Sequence, residues 1–338
     1  MSSRHKEAEA ETKAEKHLAE RVEAARAEVV EAVSLMHRCL VCVVLVLLIG
    51  IASYVVVYRL GLPEALDKLQ LAAIPAAVLG VLTSLFIWLN RECWLQIKSR
   101  ATLAHFFFWL IIVTAFIYAA LRGNTDLMIT VYLFGFGLPV MMLSLVKGQC
   151  KPLDYSLLLG IHGGVGAYAL VMLTLWLLEH VHVPFTVVTA SQAPTCTIVP
   201  YDLLASFTAQ VLPPAVVLLI ASFVEEVMFR LPLALFKKYG MYTVGFLVSF
   251  LFVYLHVFGY MHLEPEALLQ VLTCIACANA MFIAVYTRTL NLWSSVIAHL
   301  LYNVLVLAKI PLVVALAALL VNGIIHILLV RAGIVESR

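Results

Sequence analysis

The sequence predicts an all-α membrane protein: a polytopic helix bundle of about eight to ten spans, preceded by a charged amphipathic helix. Three observations carry that expectation. Hydrophobic residues make up 63% of the 338 and charged residues only 12%, with a mean hydropathy of +1.01, far from a soluble globular composition. Apolar runs of 18 residues or more recur along the chain, each long enough to cross a hydrocarbon core of about 30 Å. Backbone polar groups in lipid must pair within their own segment, and the strict alternation of a barrel strand is absent, so the runs are helices. A net charge of +2 argues neither for nor against nucleic acid, but no basic stripe or nucleic-acid motif is present, so no nucleic-acid partner is expected.

Residues 1–37 come first and differ in kind. The stretch "KEAEAETKAEKHLAERVEAARAEVVEAV" is rich in strong helix formers. Leu18, Val22, Ala25, Val29, Ala32 and Met36 recur at alternating steps of four and three, a heptad-like stripe. Two readings stand: a solvated helix that continues into the first span, or a short coiled coil with a partner or a second copy. No apolar stretch of signal-peptide type precedes the first span, and the "GIVESR" end carries neither a prenylation nor an ER-retrieval motif. Ten spans follow, at 39–58, 70–89, 103–121, 127–146, 155–178, 214–236, 241–260, 267–286, 291–308 and 311–330. With the N-terminus in the cytosol, 18 of the 22 Lys and Arg fall on the cytosolic side, and 17 if the intraspan Arg230 is set aside. The positive-inside rule therefore places both termini in the cytosol. The loop at 181–201 has no Lys or Arg and reads as lumenal or extracellular.

The seven cysteines do not outline a disulfide framework. Cys39/Cys42 and Cys274/Cys277 are CxxC pairs inside apolar helices, where packing explains them better than metal or redox chemistry. Only Cys196 lies in a long loop. His105, His162, Asn279, Asn322 and His326 read as hydrogen bonders between helices. The small residues of "GIHGGVGAY" suit close helix packing.

The stretch "SFVEEVMFR" breaks the apolar pattern. A charge at mid-bilayer costs roughly 2.5–3.5 kcal/mol on insertion scales, and three within six positions require pairing or a task. Glu226 and Arg230 are spaced i,i+4 on one helix face and can neutralise each other. Glu225 points about 100° away, so its partner comes from another helix. At 1.5 Å per residue, Glu225 lies about 18 Å from Lys237, His256 about 21 Å from Tyr242 and His299 about 16 Å from Arg288. Three helices thus place Glu, His and His in one layer, and Asn303 shares a face with His299.

A carboxylate and imidazoles around a buried cavity can activate water. Glu225 would be the general base, His256 would hold and polarise the water, and His299 and Asn303 would donate to the oxyanion of a tetrahedral intermediate. That is peptide-bond hydrolysis inside the bilayer. Glu225, His256 and His299 are also zinc ligands by type, so metal-dependent hydrolysis is the near alternative, although the HExxH helix is absent.

The same residues carry a family resemblance. Glu225-Glu226-x-x-x-Arg230, Phe252-x-x-x-His256 and His299-x-x-x-Asn303 stand in order on separate helices, with "AVYTRTLNLWSSVIAH" before the last. The chain resembles the CPBP superfamily of CAAX proteases and bacteriocin-processing enzymes (the Abi family) over roughly 203–308. The resemblance implies a multi-helix intramembrane glutamate endopeptidase without a cofactor. In it, Glu225 and His256 activate water, His299 and Asn303 form the oxyanion site, and Glu226 and Arg230 support them. In the Ras-converting branch the substrate is a prenylated CAAX protein, which loses its last three residues at the endoplasmic reticulum membrane. This chain departs from the usual patterns at Leu231 and in "FVYLH". The implied organisation is a cytosolic arm at 1–37, transmembrane helices and a polar-side loop at 38–200, the catalytic core at 203–308, and a last helix and tail at 309–338.

The implied partners are membrane lipid and a prenylated or otherwise membrane-anchored protein, with self-association through the N-terminal helix as an additional expectation. The endoplasmic reticulum is the expected membrane, ahead of a bacterial plasma membrane or an organelle. Two rival functions share these features. A membrane scaffold could keep the cavity to hold a partner helix, but it has no need of the full Glu/His/His/Asn set. A transporter or proton relay also uses intramembrane Glu and His, but the chain has no clear internal repeat of the kind such folds carry.

Overall fold

The structure is a computed structural model that describes residue 60 and residues 66–95, 97–132, 155–180, 194–199 and 213–331. The arm at 1–37, the first span at 39–58, Cys39, Cys42, most of the span at 127–146 and the side chain of His326 lie outside the described residues. The described chain is helical, with no strand among its elements: α1 (Lys68–Leu89), α2 (Arg91–Leu95), α3 (Leu103–Leu121), α4 (Thr125–Thr130), α5 (Tyr155–His180), α6 (Pro214–Leu235), α7 (Met241–Tyr260), α8 (Pro265–Thr289), α9 (Leu292–Leu307) and α10 (Leu312–Arg331). Two compact units divide the chain, one of residues 46–320 and one of residues 1–45 with 321–338. The candidate site lies in the first.

Five described helices are long and apolar enough to cross a membrane: α1, α3, α5 (over Leu157–Glu179), α7 and α8. Of the ten spans expected from the sequence, 39–58 and most of 127–146 lie outside the described residues, so these five are a count of the described residues alone. Helix α6 spans 22 residues but carries Glu225, Glu226 and Arg230, and α9 has only 16 residues. Large apolar side chains lie on the surface, while a cluster of charged and polar side chains is buried within the apolar core. Val81, Trp88, Phe107, Ile111 and Leu121 are exposed, while Glu225, Glu226, Arg230, His256, His299 and Asn303 are buried. Exposed apolar side chains around a buried charged cluster suit a chain solvated by lipid.

Within the larger unit α7 packs along α1, and α9 packs along α5, with α8 against both α1 and α5. Helix α6 bridges α9 and α7. The glycines of "GIHGGVGAY" set the α5–α9 approach, as the sequence predicts. A Cβ on Gly160 would stand 2.6 Å from the Ser294 carbonyl oxygen, and one on Gly164 would stand 2.6 Å from that of Ala298. Only a bare backbone lets α9 come so near. Buried Thr83 on α1 donates to Ser249 on α7 at 2.8 Å, and Cys274 and Cys277 are buried free thiols on α8, consistent with packing.

Local sequence explains how the site helices are cut. Asp67 and Gln70 form a capping box at the start of α1. Pro214 at the first position of α6 has a fixed φ and no donor to strand. Pro232, inside the same helix, cannot bond the Met228 carbonyl four residues back, and the Trp109 indole N–H from α3 takes its place at 3.1 Å. Helix α8 ends where Leu290 turns left-handed at φ +48°. That turn is held by the Asn291 N–H on Thr289 Oγ1 (3.2 Å) and by Thr289 Oγ1 against Ser294 Oγ (2.6 Å). Asn291 then caps α9 by accepting from the Trp293 N–H. The Arg-Thr turn and Leu-Trp start therefore fix where α9, and His299 on it, begins. His105 differs from expectation. It caps its own helix, with Nδ1 3.0 Å from Thr102 N and 2.7 Å from Thr102 Oγ1, instead of bridging two helices. Asn322 Nδ2 likewise meets no partner among the described residues.

Candidate active site

Helix α6 supplies both acids. Glu226 pairs with Arg230 one turn on, Oε2 to Nε at 2.9 Å and Oε1 to Nη2 at 3.2 Å, with both side chains fully buried. Arg230 also donates to Asn279 Oδ1 on α8 and lies over the Phe252 ring at 5.3 Å. Ser295 on α9 donates to Glu226 Oε2. The Glu226 carboxylate thus holds α6, α8 and α9 together through a neutralised, hydrogen-bonded pair, the condition under which a buried charge is tolerable.

Glu225 faces elsewhere, as the helix geometry predicts. Its Oε1 accepts from the Tyr132 hydroxyl at 2.6 Å and from the Ile198 N–H at 2.8 Å. Its Oε2 has no hydrogen-bond partner among the described residues and lies 3.8 Å from His299 Nε2. One oxygen is anchored and the other is left as an acceptor.

His256 shows the same division. Its Nδ1 donates to the Phe252 carbonyl one turn back, at 2.6 Å. A carbonyl only accepts, so Nδ1 carries the proton and Nε2 presents a lone pair. That Nε2 is buried without a partner among the described residues. The Phe252 ring packs at 4.6 Å from the His256 ring and 6.3 Å from the His299 ring, which ties the two imidazoles into one group.

His299 is held from both sides. Its Nδ1 lies 3.0 Å from Glu226 Oε1, its Nε2 meets the Cys196 carbonyl, and its ring stacks on Phe282 at 4.8 Å. Both contacts are to acceptors. A neutral ring donates to one of them and an imidazolium to both. Asn303, one turn further along α9, accepts from the Cys196 N–H at 2.8 Å through Oδ1, and its buried Nδ2 meets no partner among the described residues.

The structure therefore brings all six residues expected from the sequence into one buried cluster. Among the described residues no group of three His, Cys, Asp or Glu side chains is placed to hold a metal ion. Sequence reasoning missed four participants. Tyr132, just past the end of α4, gave no signal. Ser295 stands one turn before His299 on the face that continues to Asn303, a spacing that could have revealed it. Asn279 was expected to bond between helices, and its partner is the site arginine. The backbone of residues 194–199 was read only as part of an outer loop.

Comparison with known families bears on the same segment. Residues 207–305 match the Rce1-like family, described as type II CAAX prenyl endopeptidase Rce1-like. This match covers 99 of the 338 residues, from within α6's approach to within α9, and supports the CPBP superfamily resemblance. All six site residues fall inside it. At family level it supports an intramembrane protease of CAAX/CPBP type and an integral, multi-pass membrane protein with a membrane-anchored protein substrate. No curated protein and no solved structure matches the chain.

Proposed function

We propose that this protein is an intramembrane endopeptidase that hydrolyses a peptide bond with water activated by Glu225 and His256, and that its substrate is a prenylated protein carrying a C-terminal CAAX sequence. The observation that carries the reading is the pair of buried acceptors, Glu225 Oε2 and His256 Nε2. A water between them donates one O–H to each and turns its lone pair toward a substrate carbonyl.

As the new C–O bond forms, the water's proton passes to Glu225, and the carbonyl oxygen becomes an oxyanion. His299 Nε2, which already meets a peptide carbonyl, and Asn303 Nδ2 are the available donors to it. Collapse of the intermediate breaks the C–N bond. The proton held on Glu225 moves to the departing nitrogen, so the products are a carboxylate and a released amine-terminated peptide. Tyr132 and the Ile198 N–H fix Oε1, so proton transfer falls to Oε2. Glu226, Arg230, Ser295 and Asn279 hold α6, α8 and α9 in register, and Arg230 balances the charge of Glu226.

The substrate class rests on the family match and on the lipid-facing surface. A prenyl chain partitions into the bilayer and delivers its peptide at the depth of the site. The test is incubation of purified protein in lipid nanodiscs with a farnesylated CAAX peptide and its unprenylated twin. Release of an intact C-terminal tripeptide from the farnesylated peptide alone is the expected result. Equal cleavage of both peptides would remove the prenyl requirement, and no cleavage by a folded protein would favour a scaffold.

A further inference from the structure

Residues 194–199 run through the site with no helical structure, and Cys196, Thr197, Ile198 and Val199 are all buried. Five hydrogen bonds tie this segment to the site, and each runs to its main chain. The Tyr302 hydroxyl donates to the Pro194 carbonyl at 2.9 Å, and the Tyr260 hydroxyl donates to that of Thr195 at 2.9 Å. The Cys196 N–H donates to Asn303, the Cys196 carbonyl accepts from His299, and the Ile198 N–H donates to Glu225. Recognition through main-chain groups, blind to side-chain chemistry, is how a cleft holds an extended peptide. The order along the chain is that of a substrate. The Cys196 carbonyl sits on a proposed oxyanion donor, its own N–H sits on the other oxyanion residue, and an N–H two residues on sits on the proposed base.

From this arrangement we infer that residues 194–199 are an internal substrate mimic: they occupy the peptide cleft with the Cys196–Thr197 bond in the scissile place, and an incoming peptide must displace them. The inference rests on the peptidase reading of the site and adds its regulation. Side-chain hydroxyls and amides at Tyr260, Tyr302 and Asn303 are then the backbone-binding groups for substrate residues on the amino side of the cut. Apparent affinity for peptide falls by the fraction of molecules in which the segment is out.

Displacement can be read without catalysis. Full-length protein in nanodiscs is treated with N-ethylmaleimide, and alkylation is followed at Cys196 by mass spectrometry, with and without a farnesylated CAAX peptide whose scissile amide is reduced to a methylene-amine. Slow alkylation of the free protein, accelerated about tenfold or more by saturating peptide, is expected. The Ile198→Pro variant, which lacks the N–H donor to Glu225, is expected to bind a fluorescent form of that peptide about tenfold more tightly, the equivalent of about 1.4 kcal/mol. Rapid alkylation of the free protein would overturn the inference. So would peptide binding that leaves the Cys196 rate unchanged, or a folded Ile198→Pro variant that binds no tighter. If that variant does not fold, the wild-type alkylation decides alone. Cleavage of the unreduced peptide is scored separately. Displacement without cleavage would refute the peptidase reading and leave the substrate-like cleft standing.

Discussion

Replacing Arg230 with methionine keeps most of the side-chain volume and removes the charge. The structure gives the guanidinium two contacts to Glu226 at 2.9 and 3.2 Å, a hydrogen bond to Asn279 and a face-on contact with Phe252 at 5.3 Å. What remains is a fully buried Glu226 carboxylate whose neighbours are Ser295 and His299. Breaking a buried pair by removing one partner costs about 3–5 kcal/mol, because the other charge is left without compensation. Replacing both partners is far cheaper. Arg230→Met alone is therefore expected to lose about 3–5 kcal/mol, and Arg230→Met with Glu226→Gln to recover at least about 2 kcal/mol of it. Denaturant unfolding in mixed micelles, run on the wild type, both single variants and the double variant, measures that coupling. Additive effects, with the double variant no more stable than Arg230→Met, would refute the view of Glu226–Arg230 as one neutralised unit.

Three other outcomes follow from the same geometry. Tyr132→Phe removes a short hydrogen bond to a charged oxygen, the kind worth about 1.5–3 kcal/mol. Steady-state kinetics should show kcat down about tenfold or more with KM little changed. Gly164→Ala sets a Cβ against the Ala298 backbone, whereas Gly166→Ala meets the flexible end of Met281 at 3.2 Å and the Leu319 side chain at an ordinary 3.7 Å. The first should cost about 1–3 kcal/mol and depress cleavage, and the second should leave both near wild type. Treatment with a strong chelator, followed by the peptide cleavage assay, should leave the rate unchanged, since the proposed mechanism activates water with Glu225 and His256 alone.

Much of the site was legible because its chemistry is out of place. In an apolar chain each polar residue costs energy, so Glu225, Glu226, Arg230, His256, His299 and Asn303 stood out, and helical spacing sorted their faces. The i,i+4 pairing of Glu226 with Arg230 and the divergence of Glu225 both follow from 3.6 residues per turn. The small residues around His162 announced a close approach without naming its partner, α9. What was hidden was long-range. Tyr132 reaches Glu225 across 93 residues, and one tyrosine among thirteen carries no local mark of that role. The burial of residues 194–199 was hidden for another reason. A loop with no Lys or Arg speaks only to the side of the membrane it starts from, whereas its depth depends on donors and acceptors supplied by α6, α7 and α9. His105 illustrates the converse: a polar residue at a helix start can be satisfied by its own first turn.

The central claim is that Glu225 takes the proton from the attacking water. Single-turnover cleavage of a farnesylated CAAX peptide by Glu225→Gln, with the dissociation constant for the peptide determined in parallel, tests it most directly. The amide keeps the shape and can still accept from Tyr132 and the Ile198 N–H, but it is not a base. The account predicts a rate lowered about 10²–10⁴-fold with peptide binding intact. A Glu225→Gln protein that cleaves within about tenfold of wild type would contradict it and place the base elsewhere.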